Sequence, residues 1–342
     1  MIKKEKIILC LIMFFSVFFV LCIGDSLVIK ENREESLSEA TRSAGGTDPF
    51  DKTVTGLSLE NNRAEPSFTG AQSDEDKKNM PDEIRAFYRA YSHFINEIKF
   101  TNDDWLISLR GVDLFWAEGK LLPRDKKQEQ AKYRPYGFYN YADDLPEIIK
   151  EADAQMLERF KRYTESRKNQ QRDNTFLETL YNGQNLKEIQ KNIKTINFLG
   201  FRIEVHESII NRYNAIDKEI KEAALKNPEI KQFLSSLGAA SAFMWRDIEN
   251  SKSKSYHSFG IAIDISPAKL GNKQIYWNWT ANYNDKWYAV PYSKRWMPPM
   301  EVIKIFEKYG FIWGGKWLMF DNMHFEYRPE ILILSGKEVM GL

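Results

Sequence analysis

The stretch Ser255-Tyr-His-Ser-Phe-Gly-Ile-Ala-Ile-Asp-Ile265 constrains this 342-residue chain more than any other. Ile261, Ile263 and Ile265 alternate with Ala262 and Asp264, which is the two-residue period of a β-strand. Asp264 therefore faces away from the isoleucines, beside the small Ala262. A carboxylate on such a strand needs a partner, because burying it alone is costly. Gly260 permits a turn or a close backbone approach just before the strand, where a Cβ would hinder one.

The partner of Asp264 can be sought among few residues, since the chain has four histidines. His93 lies off the apolar stripe of its segment. His206 is followed by Glu207 but by no second histidine four residues on, so it carries no zincin helix motif and reads as a satisfied or surface residue. His257 lies seven residues before Asp264, and His324 falls on an expected strand over 323–328. Imidazole nitrogen and carboxylate oxygen suit zinc at about 2.0–2.2 Å, and three protein ligands plus water is the catalytic pattern. His257, Asp264 and His324 make such a set. Asp321, three residues before His324, could orient and deprotonate a water on the metal. On the residues alone, a buried Asp–His hydrogen bond with no metal stays open as the alternative.

Two blocks carry a resemblance. Ser255-x-His257-x-x-Gly260-x-Ala262-x-Asp264 is similar to the SxHxxGxAxD signature of the VanY-like D-alanyl-D-alanine carboxypeptidases and the related endolysin L-alanyl-D-glutamate peptidases. The second block, Gly310-Phe-Ile-Trp313-Gly-Gly-Lys-Trp317 followed by Asp321-x-x-His324-Phe-Glu326, occurs in the family's order. The resemblance spans about 235–332. It implies a Zn2+ cofactor held by His257, Asp264 and His324, with Asp321 as the catalytic acid/base. Arg246 matches an arginine that binds substrate and stabilises the oxyanion. Ser255 is expected to support the site on the substrate side by hydrogen bonding, and Glu326, on the same strand face as His324, to orient a histidine. The implied substrate is a peptidoglycan stem peptide, cut as a D-alanyl-D-alanine carboxypeptidase would. Alternatives are an L-alanyl-D-glutamate endopeptidase, a zinc hydrolase of another peptide, and a non-catalytic cell-wall binding protein. Aspartate at 321, where the VanY branch has glutamate, leans toward the endopeptidases.

The remaining organisation follows from composition. Lys plus Arg number 49 against 48 for Asp plus Glu, so no basic excess points to nucleic acid as a partner. The two cysteines, Cys10 and Cys22, lie in the first apolar run, which leaves no disulfide framework or thiolate metal site downstream. Lysines at 3, 4 and 6 precede an uncharged run from Ile7 to Gly24. Residues 1–24 thus read as a signal peptide or membrane anchor, with a lipoprotein as a weaker match to the bulky Leu21. Every version places the rest outside the cytoplasm, in the periplasm or cell envelope, secreted or held to the membrane. Residues 25–80 are polar and read as a disordered tether.

A helix is expected from Pro81 through Ile95, an irregular aromatic stretch over 102–143, and a long helix from Leu145 to about Arg167. Together 81–190 reads as a helical N-terminal segment of unknown role. Residues 191–342 read as the zinc peptidase domain, with a strand at 199–206, a helix at 208–226 and another opened by Pro298-Pro299. The fold class expected is α+β, a small antiparallel sheet carrying the zinc site with helices packed on it. Tyr276, Trp277, Trp279, Tyr283, Trp287 and Tyr288 crowd the stretch between the two blocks. They are either a wall for the substrate or a loop pinned by its own aromatics.

Overall fold

The computed structural model describes residues 79–101, 104–248, 251 and 253–342. The signal peptide or membrane anchor expected over 1–24, and nearly all of the tether expected over 25–80, lie outside the described residues. Among the described residues no helix is long and apolar enough to cross a membrane.

Helix α1, Asp82–Tyr91, starts behind Pro81 with two acids in its first turn, which favours its N-terminus. It buries Ile84, Ala86, Phe87 and Tyr91. The chain then departs from the helical reading of 81–190. Strands β1 (Ile95–Thr101), β2 (Asp104–Leu109), β3 (Val112–Ala117) and β4 (Lys120–Pro123) form an antiparallel meander in sequence order. Its last two turns are Arg110-Gly111, at φ 48° and 83°, and Glu118-Gly119, at φ 50° and 80°. Two successive positive φ values suit the right-handed twist of a tight hairpin. Arginine and glutamate are uncommon at the first of those positions, so neither turn announced itself as Asn-Gly or Asp-Gly would. The long helix also starts later than expected. Helix α2 covers Ala154–Asn169, because Asp153 caps it by accepting the Met156 N–H at 2.7 Å.

The expected strand and helix near residue 200 are present as β6 (Phe201–His206), paired with β5 (Ile193–Phe198), and α3 (Ile210–Ala224). The second four-stranded sheet has the order β7-β8-β10-β9, all antiparallel, with β7 at Leu237–Ser241, β8 at Ala262–Pro267, β9 at Phe311–Trp313 and β10 at His324–Tyr327. One face of this sheet is core. Ile263, Trp313 and Phe325 are fully buried there, and Phe325 stacks on Phe306 at 4.0 Å between ring centroids. Phe306 belongs to α4 (Met300–Lys308), which follows Pro298-Pro299 and buries Val302, Ile303 and Ile305 beside it. The other face carries Asp264 and His324.

The expected boundary at residue 190 is not a boundary in the core. One cluster of buried side chains contains Phe87, Trp105, Leu114 and Phe176 together with Tyr213, Phe259, Ile263 and Phe325. Helix α5 (Pro329–Leu334) packs on α1.

Candidate active site

The strand register brings the site together. His324 on β10 pairs directly with Asp264 on β8, and Glu326 with Ala262. Directly opposed residues of an antiparallel pair share a face, so the imidazole and the carboxylate meet. Ala262 leaves room above it for Glu326.

His257 arrives from a separate turn. Residues Tyr256–Phe259 form one turn of 3-10 helix, capped by Ser255, whose hydroxyl accepts the His257 N–H at 3.3 Å. Gly260 then takes φ +66°, where a Cβ would lie 2.6 Å from Ile193 Cδ1 and 2.7 Å from the His206 backbone nitrogen. Only glycine fits that approach, and it swings the chain from His257 into β8.

The donor atoms converge tightly. His257 Nε2 is 3.2 Å from His324 Nδ1 and 3.2 Å from Asp264 Oδ1, and His324 Nδ1 is 2.9 Å from Asp264 Oδ1. Ligand atoms of a tetrahedral zinc with bonds near 2.05 Å are about 3.3 Å apart, so the triangle fits one such ion. The far nitrogens are also anchored. His257 Nδ1 lies 2.5 Å from the Ala242 carbonyl oxygen, to which its N–H donates. His324 Nε2 lies 3.1 Å from Glu326 Oε2, to which it likewise donates. These partners assign the proton to the outer nitrogen of each ring and turn the lone pair of the inner one toward Asp264.

Electrostatics agree with the donor geometry. Burial disfavours the Asp264 carboxylate, but His257 and His324 outweigh it and hold its pKa well below the ordinary range. Burial lowers His324, yet Asp264 and Glu326 carry it well above its usual value. A site that attracts a proton so strongly attracts a divalent cation by the same charges. His257, Asp264 and His324 fit zinc in donor chemistry, spacing and ring orientation.

Glu326 is itself held. Arg328 Nη1 donates to its Oε1 at 3.3 Å, and the Arg328 Nε–H donates to Glu330. Glu330 Oε2 accepts the Tyr91 hydroxyl at 2.8 Å. This buried chain runs from the imidazole of His324 to helix α1. The alternation Glu326-x-Arg328-x-Glu330 was its only trace in the sequence.

Asp321 sits on the loop before β10. Its N–H donates to the Gly314 carbonyl at 3.0 Å, and a Cβ on Gly314 would approach the Asp321 carbonyl oxygen to 2.7 Å. The neighbouring Asn322, fully buried, donates to the Trp296 carbonyl at 2.7 Å and fixes the loop. Asp321 Oδ1 is buried without a hydrogen-bond partner in the protein. Burial pushes the Asp321 carboxyl up to about 7; the Asp264 charge adds to this, while His324, the Met323 N–H and Arg246 pull against it. A carboxyl with that value can both accept and return a proton near neutrality.

Asp321, Arg246 and the three converging residues line one cleft of about 900 Å³. Arg246 is exposed at its edge. Its backbone is clamped by the buried Ser258, whose hydroxyl accepts the Arg246 N–H at 2.9 Å and donates to the Arg246 carbonyl at 2.7 Å. Nothing in the sequence had marked Ser258 for this task. Ser255, expected on the substrate side, borders the cleft but is buried, and its hydroxyl is occupied with the His257 backbone. Its observed work is to shape the histidine turn.

The aromatic stretch packs on itself and also borders the cleft. Trp277 packs on Trp287 at 5.0 Å and Trp287 on Tyr288 at 5.8 Å, which pins the loop, while Tyr276, Trp277 and Trp279 face the cleft. A further part of the lining was unforeseen. It comes from the N-terminal segment, with Tyr139, Phe160 and Arg172 among its residues.

A family model described as D-alanyl-D-alanine carboxypeptidase matches residues 249–327, roughly a quarter of the chain, and one described as a domain of unknown function matches 83–138. No curated protein and no solved structure matches the chain. The match over 249–327 takes in His257, Asp264, Asp321, His324 and Glu326, and it supports a peptidase of the superfamily to which the D-alanyl-D-alanine carboxypeptidases belong.

Proposed function

We propose that this protein is a zinc-dependent peptidase of the cell envelope that hydrolyses peptidoglycan stem peptides, foremost as a D-alanyl-D-alanine carboxypeptidase. The observation that carries this reading is the triangle of His257 Nε2, His324 Nδ1 and Asp264 Oδ1, with the outer nitrogen of each ring set against an oxygen acceptor. The family match over the same residues supports it. His257, Asp264 and His324 would hold the zinc. When bound, zinc supplies a Lewis acid that polarises the scissile carbonyl and makes water more acidic. The Asp321 carboxylate takes the proton from the attacking water and returns it to the leaving amine. The Arg246 guanidinium donates to the carbonyl oxygen as charge develops, or to the terminal carboxylate of the substrate. Glu326 keeps the His324 ring oriented throughout.

Residues 7–24 would carry the protein out of the cytoplasm, and hold it to the membrane where they are not removed. An L-alanyl-D-glutamate endopeptidase is the second reading, favoured by aspartate at 321. The test is a metal analysis of the purified protein together with mass spectrometry of muropeptides after incubation. Loss of one terminal D-alanine supports the carboxypeptidase, and release at the L-alanyl-D-glutamate bond supports the endopeptidase. About one zinc per chain is expected. A protein that binds no zinc and leaves muropeptides intact would refute the peptidase and favour a binding role.

A further inference from the structure

Four arginines of the N-terminal segment border the same cleft as the His257–Asp264–His324 triangle, Arg134, Arg159, Arg167 and Arg172, and of these Arg134, Arg167 and Arg172 form a cluster. Arg167 projects from the last turn of α2, Arg172 lies on the chain just beyond it, and Arg134 leads into the aromatic run that ends at Tyr141. They act on one another. Burial pushes the Arg134 guanidinium down to about 10, and the charges of Arg172 and Arg167 push it the same way, opposed only by tyrosines. Among the described residues, no carboxylate forms an ion pair with any of the three. Glu326, which feels Arg172 at longer range, is already engaged by His324 and Arg328.

The cluster is built rather than incidental. Arg172 is 6% exposed, lies 4.5 Å over the Tyr256 ring, and donates from Nη2 to the Lys254 carbonyl at 2.8 Å. Its Nε is buried with no partner. Arg134 reaches Ser253 Oγ with Nε and Nη2, at 3.3 and 3.2 Å, and the Arg172 backbone N–H reaches the same oxygen at 2.8 Å. Tyr256 directly precedes His257, so the cluster adjoins the metal-ligating turn. Gathering like charges in a half-buried wall costs free energy, which an anion in the cleft would offset. A planar guanidinium fork suits a carboxylate bidentately.

We propose that Arg134, Arg167 and Arg172 form a carboxylate subsite in the N-terminal wall of the cleft, which holds an acidic residue of the peptide away from the bond that is cut. The proposal rests on the peptidase reading for the identity of its ligand as a peptide. It assigns to the N-terminal segment the selection of acidic substrates, a task separate from that of Arg246 at the reacting bond.

The test uses the full-length protein and two peptides, L-alanyl-γ-D-glutamyl-L-lysyl-D-alanyl-D-alanine and the same peptide with its glutamyl α-carboxylate amidated. Binding is read by calorimetry in the presence of a chelator, so that turnover does not intervene, and cleavage is followed separately with zinc. The acid form should bind at least about tenfold more tightly than the amide at low salt. The double variant Arg134→Gln/Arg167→Gln should erase that difference and leave the affinity of the amide unchanged. With zinc it should raise KM for the acid form and leave kcat within about twofold. Arg134→Lys/Arg167→Lys should recover part of the preference, since charge is kept and the fork is lost. Equal binding of both peptides by the wild type, or equal weakening of both in the double variant, would overturn the subsite. Displacement of the acid peptide by inorganic phosphate at concentrations where acetate has no effect would also overturn it, in favour of a phosphate ester. A protein that prefers the acid form but cuts neither peptide refutes the peptidase reading and leaves the subsite standing.

Discussion

Replacing His206 with glutamine should remove an acid sensitivity built into the fold. His206 is 4% exposed. Its Nε2–H donates to the Tyr181 carbonyl at 3.1 Å, and Nδ1 accepts the Ser208 N–H at 3.2 Å, so the ring is satisfied in its neutral form. Burial pushes its pKa down to about 4, against weaker upward pulls from the Tyr181 carbonyl and Glu207. The unfolded chain has the ordinary value near 6.5. Between these values the unfolded state binds the proton and the folded state does not, so stability is present above pH 6.5 and is lost as the pH falls toward 4. Relative to pH 7, the loss works out at about 1 kcal/mol by pH 5.5 and about 3 kcal/mol by pH 4.

Urea unfolding followed by tryptophan fluorescence, at pH 7 and 5.5 in the presence of a chelator, measures it. The wild type should lose about 1 kcal/mol more than His206→Gln over that interval. The difference between the two pH values is what counts, so a general destabilisation of the variant does not interfere. Equal losses in both proteins would refute the assignment of a neutral, buried His206.

Asp321→Asn should retain zinc and lose at least about 10²-fold in turnover, because an amide cannot take the proton from water; loss of the metal instead would make Asp321 a ligand. Glu326→Gln keeps the shape but weakens the acceptor for His324 Nε2–H, and chelator competition should show zinc bound about 10–100-fold less tightly. Unchanged affinity would remove Glu326 from its orienting role. Gly260→Ala should cost more than about 2 kcal/mol in thermal or urea unfolding, since it strains a positive φ and drives a Cβ toward the His206 backbone. A variant as stable as the wild type would contradict the close approach.

The site was legible in the sequence to the extent that strand parity governs it. The alternation over 261–265 put Asp264 opposite the isoleucines, and the same period put Glu326 with His324. What parity cannot supply is register, and the pairing of His324 with Asp264 is set by packing along the whole sheet. The β1–β4 meander was missed because its last two turns use Arg110-Gly111 and Glu118-Gly119 instead of the residues that usually take positive φ at the first position. The spacing of Ser255 to His257 does not reveal whether its hydroxyl faces the cleft or caps the backbone, as it does here. Arg134 and Arg172 lie 38 positions apart with Arg167 between them, and the three become a cluster only when the chain folds. No local pattern joins them.

The chain of contacts from His324 through Glu326, Arg328 and Glu330 to Tyr91 sets apart two kinds of unit that are easily taken for one. The stretch picked out by a peptidase family model ends at residue 327, yet the Glu326 charge that steadies its last histidine is neutralised by Arg328, which is held in turn by Glu330 and, through Glu330, by a hydroxyl 239 positions upstream of it. A fragment trimmed to the matched stretch would keep His257, Asp264 and His324 and still expose Glu326 without its counter-charge, above a core stripped of Phe87 and Phe176. The recognisable module and the body able to fold are different lengths of the same polypeptide. Grafts, truncations and chimaeras of this protein are better cut near residue 80 than near 190 or 249.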